Sequence, residues 1–127
     1  FCQLIRDADK IDIFRVYATH LEKPDNVWHT DLSRLKEQPI SDAVMAQARR
    51  MRTIRTEDKK TRMDFYAGVL CLYFELSYAV SRELVKEQGY YEKLLQFHSR
   101  NRQTEARLDE IRSLVKCLGN QQNQDGL

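Results

Sequence analysis

Leu4-Ile5-Arg6-Asp7-Ala8-Asp9-Lys10-Ile11-Asp12-Ile13-Phe14 sets three carboxylates inside an otherwise apolar helical run, and its reading decides the fold. At about 100° per residue, Cys2, Ile5, Asp9, Asp12, Ile13, Val16 and His20 share one face. Leu4, Ala8, Ile11, Phe14 and Ala18 share the opposite face, with Asp7 at its edge. Two apolar faces predict a helix packed on both sides, with Asp9 in the middle of one and Asp12 about one turn away. Charged groups are seldom buried without a partner. Asp9 is therefore expected to meet a metal or another cation, or to be satisfied by an Arg or by backbone amides. Phe1 is not an initiator Met, and no Ser, Thr, Asp or Asn precedes the run as a cap. The chain reads as a fragment that begins inside a helix.

Outward from that helix, 127 residues suit one domain with a real core. Only four Gly and two Pro argue for long helices and few hairpins. The expectation is an all-α bundle of about five helices. The first ends near Leu21, and Lys23-Pro24-Asp25-Asn26 signals a turn. Residues 27–38 read as irregular or as a short helix starting at Asp31 or Ser33. Ser41, after Pro39, is placed to cap a helix through Val44, Met45, Ala48 and Met51. The charged stretch 53–61 reads as a loop. Residues 62–88 form the longest predicted helix, closed by Gly89 in the left-handed conformation. A short helix over 91–98 and an amphipathic one over 104–118 follow, stopped by Gly119. Residues 1–118 then make the domain, and the polar 119–127 a disordered tail.

Phe65 to Val80 runs sixteen residues with Glu75 as the single charge. A bilayer needs roughly 20 apolar residues, so this is a buried strut of the bundle and not a membrane span. Glu75 is expected to pair with a basic group or to touch the active-site cavity. A charged fraction of 31% and a net charge of +2 argue against a dedicated nucleic-acid binder. Cys2, Cys71 and Cys117 form neither a paired zinc pattern nor a disulfide framework, which points to a reducing, cytoplasmic setting.

The stretch from Leu4 to Phe14 resembles the last motif of the HD-domain superfamily of metal-dependent phosphohydrolases. Pro39-Ile40-Ser41-Asp42-Ala43-Val44 and Glu87-Gln88-Gly89-Tyr90 are similar to the C-terminal part of bacterial HD proteins, so the resemblance spans residues 1 to about 118. It implies an HD-like, N-terminally incomplete domain. Asp9 would be the final ligand and catalytic acid of a divalent metal (Mn, Mg, Fe, Co, Ni or Zn), with Asp7 as the fallback. Asp7 and Asp12 would orient the site from behind that ligand. The substrate would be a nucleotide or another phosphorylated small molecule. The family also uses a His and a His-Asp pair, and this chain has no such dipeptide: His20 precedes Leu21, His29 precedes Thr30 and His98 precedes Ser99. One carboxylate does not make a tight transition-metal site. Alone, the chain is expected neither to hold a metal strongly nor to hydrolyse anything.

The other motifs say less. Arg49, Arg50, Arg52, Arg55, Lys59, Lys60 and Arg62 face only Glu57 and Asp58 in the same window. Arg52 and Arg55 are candidates to hold a substrate phosphate bidentately; a solvated loop explains them as well, and no aromatic interleaves to stack bases. His20 lies about 16 Å of helix rise from Asp9, too far to share an ion. His29 reaches the site only if its loop folds back, and His98 suits a helix end. The rival reading is a catalytically inert helical interaction or regulatory module whose buried acids are structural. Either exposed apolar surface on the Asp9 side, or a second copy covering it in a homo-oligomer, is expected.

Overall fold

The computed structural model describes residues 2–21 and 36–125, and the side chains of residues 5–19 and 36–118. The turn expected at 23–26, the helix start at Asp31 or Ser33, His29 and the side chain of His20 lie outside the described residues. Within them the fold is all-α, as expected: α1 (Cys2–Leu21), α2 (Asp42–Arg49), α3 (Arg62–Cys71), α4 (Ala79–Gln88), α5 (Tyr90–Leu95) and α6 (Arg102–Asp125). Two 3-10 turns, Thr56–Asp58 and Leu72–Glu75, complete it. Among the described residues no helix is long and apolar enough to cross a membrane.

The apolar strut is α3, where Met63, Tyr66, Ala67, Val69, Leu70 and Cys71 are all buried. Thr61 starts it with a reciprocal box: its hydroxyl accepts from Asp64 N, and the Asp64 carboxylate accepts from Thr61 N. α1 lays Ile11, Phe14 and Ala18 into the core. There the Phe14 ring lies 4.6 Å from that of Tyr91, and Tyr73 stacks on Tyr91 at 4.9 Å. Two buried phenols find carbonyls: Tyr91 donates to Leu70 O at 2.5 Å and Tyr66 to Leu94 O at 2.5 Å. α6 adds Leu108 and Ile111. Arg112 on that helix donates to the carbonyls of Leu95 and Phe97, closing the free end of α5.

Two expected boundaries and one expected packing are corrected. The predicted helix 62–88 is two helices joined by a 3-10 turn and an extended segment, since Leu76 and Tyr78 take extended backbone. The freed polar groups are satisfied from outside the segment: Lys10 and Arg82 donate to the carbonyls of Glu75 and Leu76, and Asp7 takes the amides of Ser77 and Tyr78. A continuous helix has no vacant groups to offer there. Second, α6 runs past Gly119 to Asp125; a mid-helix Gly costs only about 1 kcal/mol relative to Ala, too little to force a stop. Third, α1 is buried on one side only: Asp7, Ile11, Phe14 and Ala18 face inward, while Ile5 is 50% exposed. Gly89, by contrast, closes α4 at φ 76° as its sequence position predicts, and Ser41 is the residue that starts α2.

Candidate functional site: the acids of the first helix

The three carboxylates of α1 meet three different fates. Successive positions differ by 100°, so residues 7 and 9 lie about 200° apart on the helix. When the stripe Ile11–Phe14–Ala18 turns to the core, residue 7 turns inward with it and residue 9 turns to water. Asp7 is 1% exposed. Its Oδ1 accepts from Ser77 N at 2.9 Å, and its Oδ2 accepts from Ser77 N at 3.0 Å, Tyr78 N at 3.1 Å and Ser81 Oγ at 2.7 Å. Tyr78 offers no cap of its own to α4, so a carboxylate seventy residues away in sequence does the capping, at the positive end of the helix dipole. Burial pushes the Asp7 carboxyl up. The hydrogen bonds from Ser77, Ser81 and Tyr78 outweigh it and hold the group below the usual carboxylate value.

Asp12 is exposed and accepts from Arg15 Nε and Nη2 at 3.0 and 2.8 Å, a surface pair one turn along the helix. Asp9 is exposed, which corrects the expectation of a carboxylate in the middle of a buried face. Among the described residues it makes no hydrogen bond or ion pair. Exposed Ile5 and half-buried Ile13 and Val16 share its side of the helix. The apolar surface expected beside Asp9 is therefore present in part. Among the described residues no three His, Cys, Asp or Glu side chains come together as metal donors.

The basic stretch is divided as well. Arg49 donates to both oxygens of Glu110, at 2.9 and 3.2 Å, and Arg55 lies 3.5 Å from Asp58. Lys59 runs its chain over Gly68 and sets its ammonium 5.2 Å from the Phe65 ring centre. The Arg52 side chain is exposed. Met51, in the left-handed region at φ 55°, turns the chain so that Thr53 N reaches Glu75 Oε1 at 3.3 Å. The Glu75 carbonyl in turn accepts from Lys10 Nζ at 2.9 Å. The Glu75 carboxylate, expected to pair with a basic group, takes the Thr53 amide instead, and it is the Glu75 carbonyl that meets Lys10; the residue thus ties the Arg52 loop to α1. Among the described residues neither Arg52 nor Arg55 bonds to the α1 acids. His98, exposed, pairs with Glu105 at 2.9 Å, beside the N-terminal turn of α6.

A groove of about 410 Å³ opens between α1 and α4, walled by Ala8, Ile11, Val80 and Leu84, with the Asp12–Arg15 pair along one edge. Val80 is 65% exposed there.

One organising acid escaped the sequence reading. Asp64 is 0% exposed and accepts from Ser41 N at 2.7 Å, Ser41 Oγ at 2.6 Å, Lys60 N at 2.8 Å and Thr61 N at 3.1 Å. Burial raises its pKa, and these bonds, those from Ser41 first, more than reverse the shift. The signal was present as Thr61-Arg62-Met63-Asp64, a capping-box spacing with Asp in place of Glu. No protein-family model, no curated protein and no solved structure matches this chain.

Proposed function

We propose that this chain is the C-terminal portion of a cytoplasmic, HD-type metal-dependent phosphohydrolase acting on a nucleotide or other phosphate ester, with Asp9 as one ligand of its divalent metal. The supporting observation is the division of labour among the α1 acids. Asp7 is taken up by three protein donors and Asp12 by Arg15, which leaves Asp9 as the carboxylate with no partner among the described residues. It is also the residue onto which the Ala8-Asp9-Lys10 resemblance maps the ligand. An unpaired, accessible carboxylate fits one position of a hard-cation site. The described residues do not fit a complete one, so the remaining donors must come from elsewhere. When bound, such an ion polarises a phosphoryl oxygen and makes water a better acid. This chain's own part is to present the Asp9 carboxylate to solvent. Arg52, exposed on the loop that Glu75 ties to α1, is the better placed of the two arginines to meet a phosphate, because Arg55 already has Asp58.

The test uses the polypeptide as its gene encodes it, measured for bound metal and for hydrolysis of a panel of nucleotides and phosphate esters. Asp9→Ala is expected to lower both metal content and turnover without moving the thermal midpoint, since among the described residues Asp9 has no hydrogen-bond or ion-pair partner. Full metal content and turnover in that variant, or a gene sequence lacking an upstream His and His-Asp pair, would overturn the proposal.

A second reading has one observation in its favour: the buried acids Asp7 and Asp64 are both satisfied by protein donors, as in a helical module that never meets a metal. It predicts that Asp9→Ala leaves every measured property unchanged.

A further inference from the structure

We propose that the basic segment 50–62 is a binding strap for single-stranded nucleic acid, with Phe65 as the ring on which a base stacks. This goes beyond the hydrolase reading and does not depend on Asp9. Residues 49–62 hold seven basic side chains against two acidic ones, a net charge of +5; the whole chain carries +2, so the remainder is −3. The modest total therefore conceals a polarised molecule, and it is the local field that attracts a polyanion.

The fold turns this charge into a row. Thr53 N reaches the Glu75 carboxylate at 3.3 Å, the Lys59 chain packs on Gly68, and the amides of Lys60 and Thr61 reach Asp64 at 2.8 and 3.1 Å. The segment thus runs antiparallel to α3 and the 3-10 turn that follows it, over about 20 Å. Arg55 N also donates to Gln47 at 3.0 Å, and Ile54 is buried. These amides and one apolar side chain tie the strap to the protein, while Arg50, Arg52, Arg55 and Lys60 are all exposed. Among the described residues the side chains of Arg50, Arg52 and Lys60 have no hydrogen-bond or ion-pair partner. Of the two acids, Asp58 is engaged by Gln47 and lies 3.5 Å from Arg55. A tethered row of cations loses less freedom on meeting phosphates than a free loop does. Each Arg in it offers two donors to one phosphate.

An aromatic ring separates a nucleic acid from other polyanions. None interleaves with these charges in sequence, but the fold supplies one. Phe65 is 45% exposed on α3, beside the strap, with the Lys59 ammonium 5.2 Å from its ring centre. A large apolar ring left at the surface next to a cation suits a base, which stacks on the ring while its phosphate meets the cation. Bases within a duplex are already stacked, so the fit is to a single strand. About 20 Å accommodates on the order of four nucleotides, at the low end for surfaces of this kind.

The experiment titrates the gene-encoded polypeptide into a fluorescein-labelled oligouridylate of about twelve nucleotides and follows anisotropy over a range of salt concentrations. EDTA is present throughout, so the outcome stands apart from the metal reading. The variants are Phe65→Ala and the pair Arg52→Gln with Lys60→Gln; all three side chains are exposed, and circular dichroism checks that the fold is kept. Should Phe65→Ala fail to fold, Phe65→Leu keeps apolar volume without the ring. Wild-type affinity should fall with salt on a log–log slope of about −2 to −3, and the paired charge variant should flatten that slope by about 1.4, at roughly 0.7 per phosphate contact. Phe65→Ala should weaken oligouridylate binding about tenfold. It should leave the salt slope and the affinity for inorganic polyphosphate unchanged. Absence of salt-dependent binding overturns the proposal. So does a Phe65→Ala affinity within about twofold of wild type, which would leave a plain anion-binding loop. Equal displacement by uridine monophosphate also overturns it, because the cations would then form a subsite for one phosphate and not a strand surface.

Discussion

Replacing Asp64 by Ala should be among the most damaging substitutions on this chain that leaves apolar packing untouched. The carboxylate is fully buried and gathers three backbone amides, from Ser41, Lys60 and Thr61, together with the Ser41 hydroxyl. It thereby joins the start of α2, the end of the charged loop and the first turn of α3. A buried donor left without an acceptor costs about 1–3 kcal/mol. Ser41 and Thr61 are half-buried and Lys60 is exposed, so water reaches part of the vacated site and each amide falls toward the low end. The sum comes to about 3–5 kcal/mol for Asp64→Ala, a large share of the roughly 5–15 kcal/mol that holds a domain together. Asp64→Asn keeps one accepting oxygen and should lie between wild type and Ala. Urea unfolding of the full chain followed by circular dichroism measures the difference, provided the slope of the transition is unchanged. A loss under about 1 kcal/mol at constant slope would show that the amides find other acceptors and that the cluster does not organise the fold.

Three other expectations follow from the same geometry. Asp7 and Asp64 are both held below the ordinary value of 3.8, so their contribution is complete above that value and disappears as pH falls through their lower, folded-state values; the urea midpoint should therefore be flat from pH 6 to about 4 and drop below it, and Asp64→Asn should blunt that drop. Tyr91→Phe removes the donor to Leu70 O without opening a cavity and should cost about 1–2 kcal/mol in thermal or urea unfolding; a neutral effect would mean the carbonyl is satisfied otherwise. Burial pushes the Cys71 thiol up to about 12 while Cys117 is exposed, so a thiol reagent at pH 8 should modify Cys117 at once and Cys71 only as the chain unfolds. Fast modification of Cys71 in native protein would contradict the packing of α3.

The fold class and several boundaries were legible in local chemistry. Scarce Gly and Pro and the Gly89 stop act through local backbone preferences; Ser41 starts α2 where it was expected, but its hydroxyl donates to Asp64 and does not cap the helix. The site was legible only in part. Periodicity shows that α1 has two faces carrying acids, and the resemblance singles out Asp9. Neither determines which face is packed, because Asp7 and Asp9 both neighbour apolar positions. A carboxylate enters a core only where donors await it, and the donors here, Ser77, Tyr78 and Ser81, lie some seventy residues away. The same contact explains the break between α3 and α4. An apolar run of that composition is compatible with one helix or two, and a partner that satisfies the exposed amides makes the broken form stable. Helical propensity and turn chemistry are properties of neighbouring residues, so the sequence alone determined them. The roll of α1 depends on which of its stripes packs on the core and on the donors that meet Asp7 across the fold, so only the tertiary structure decided it.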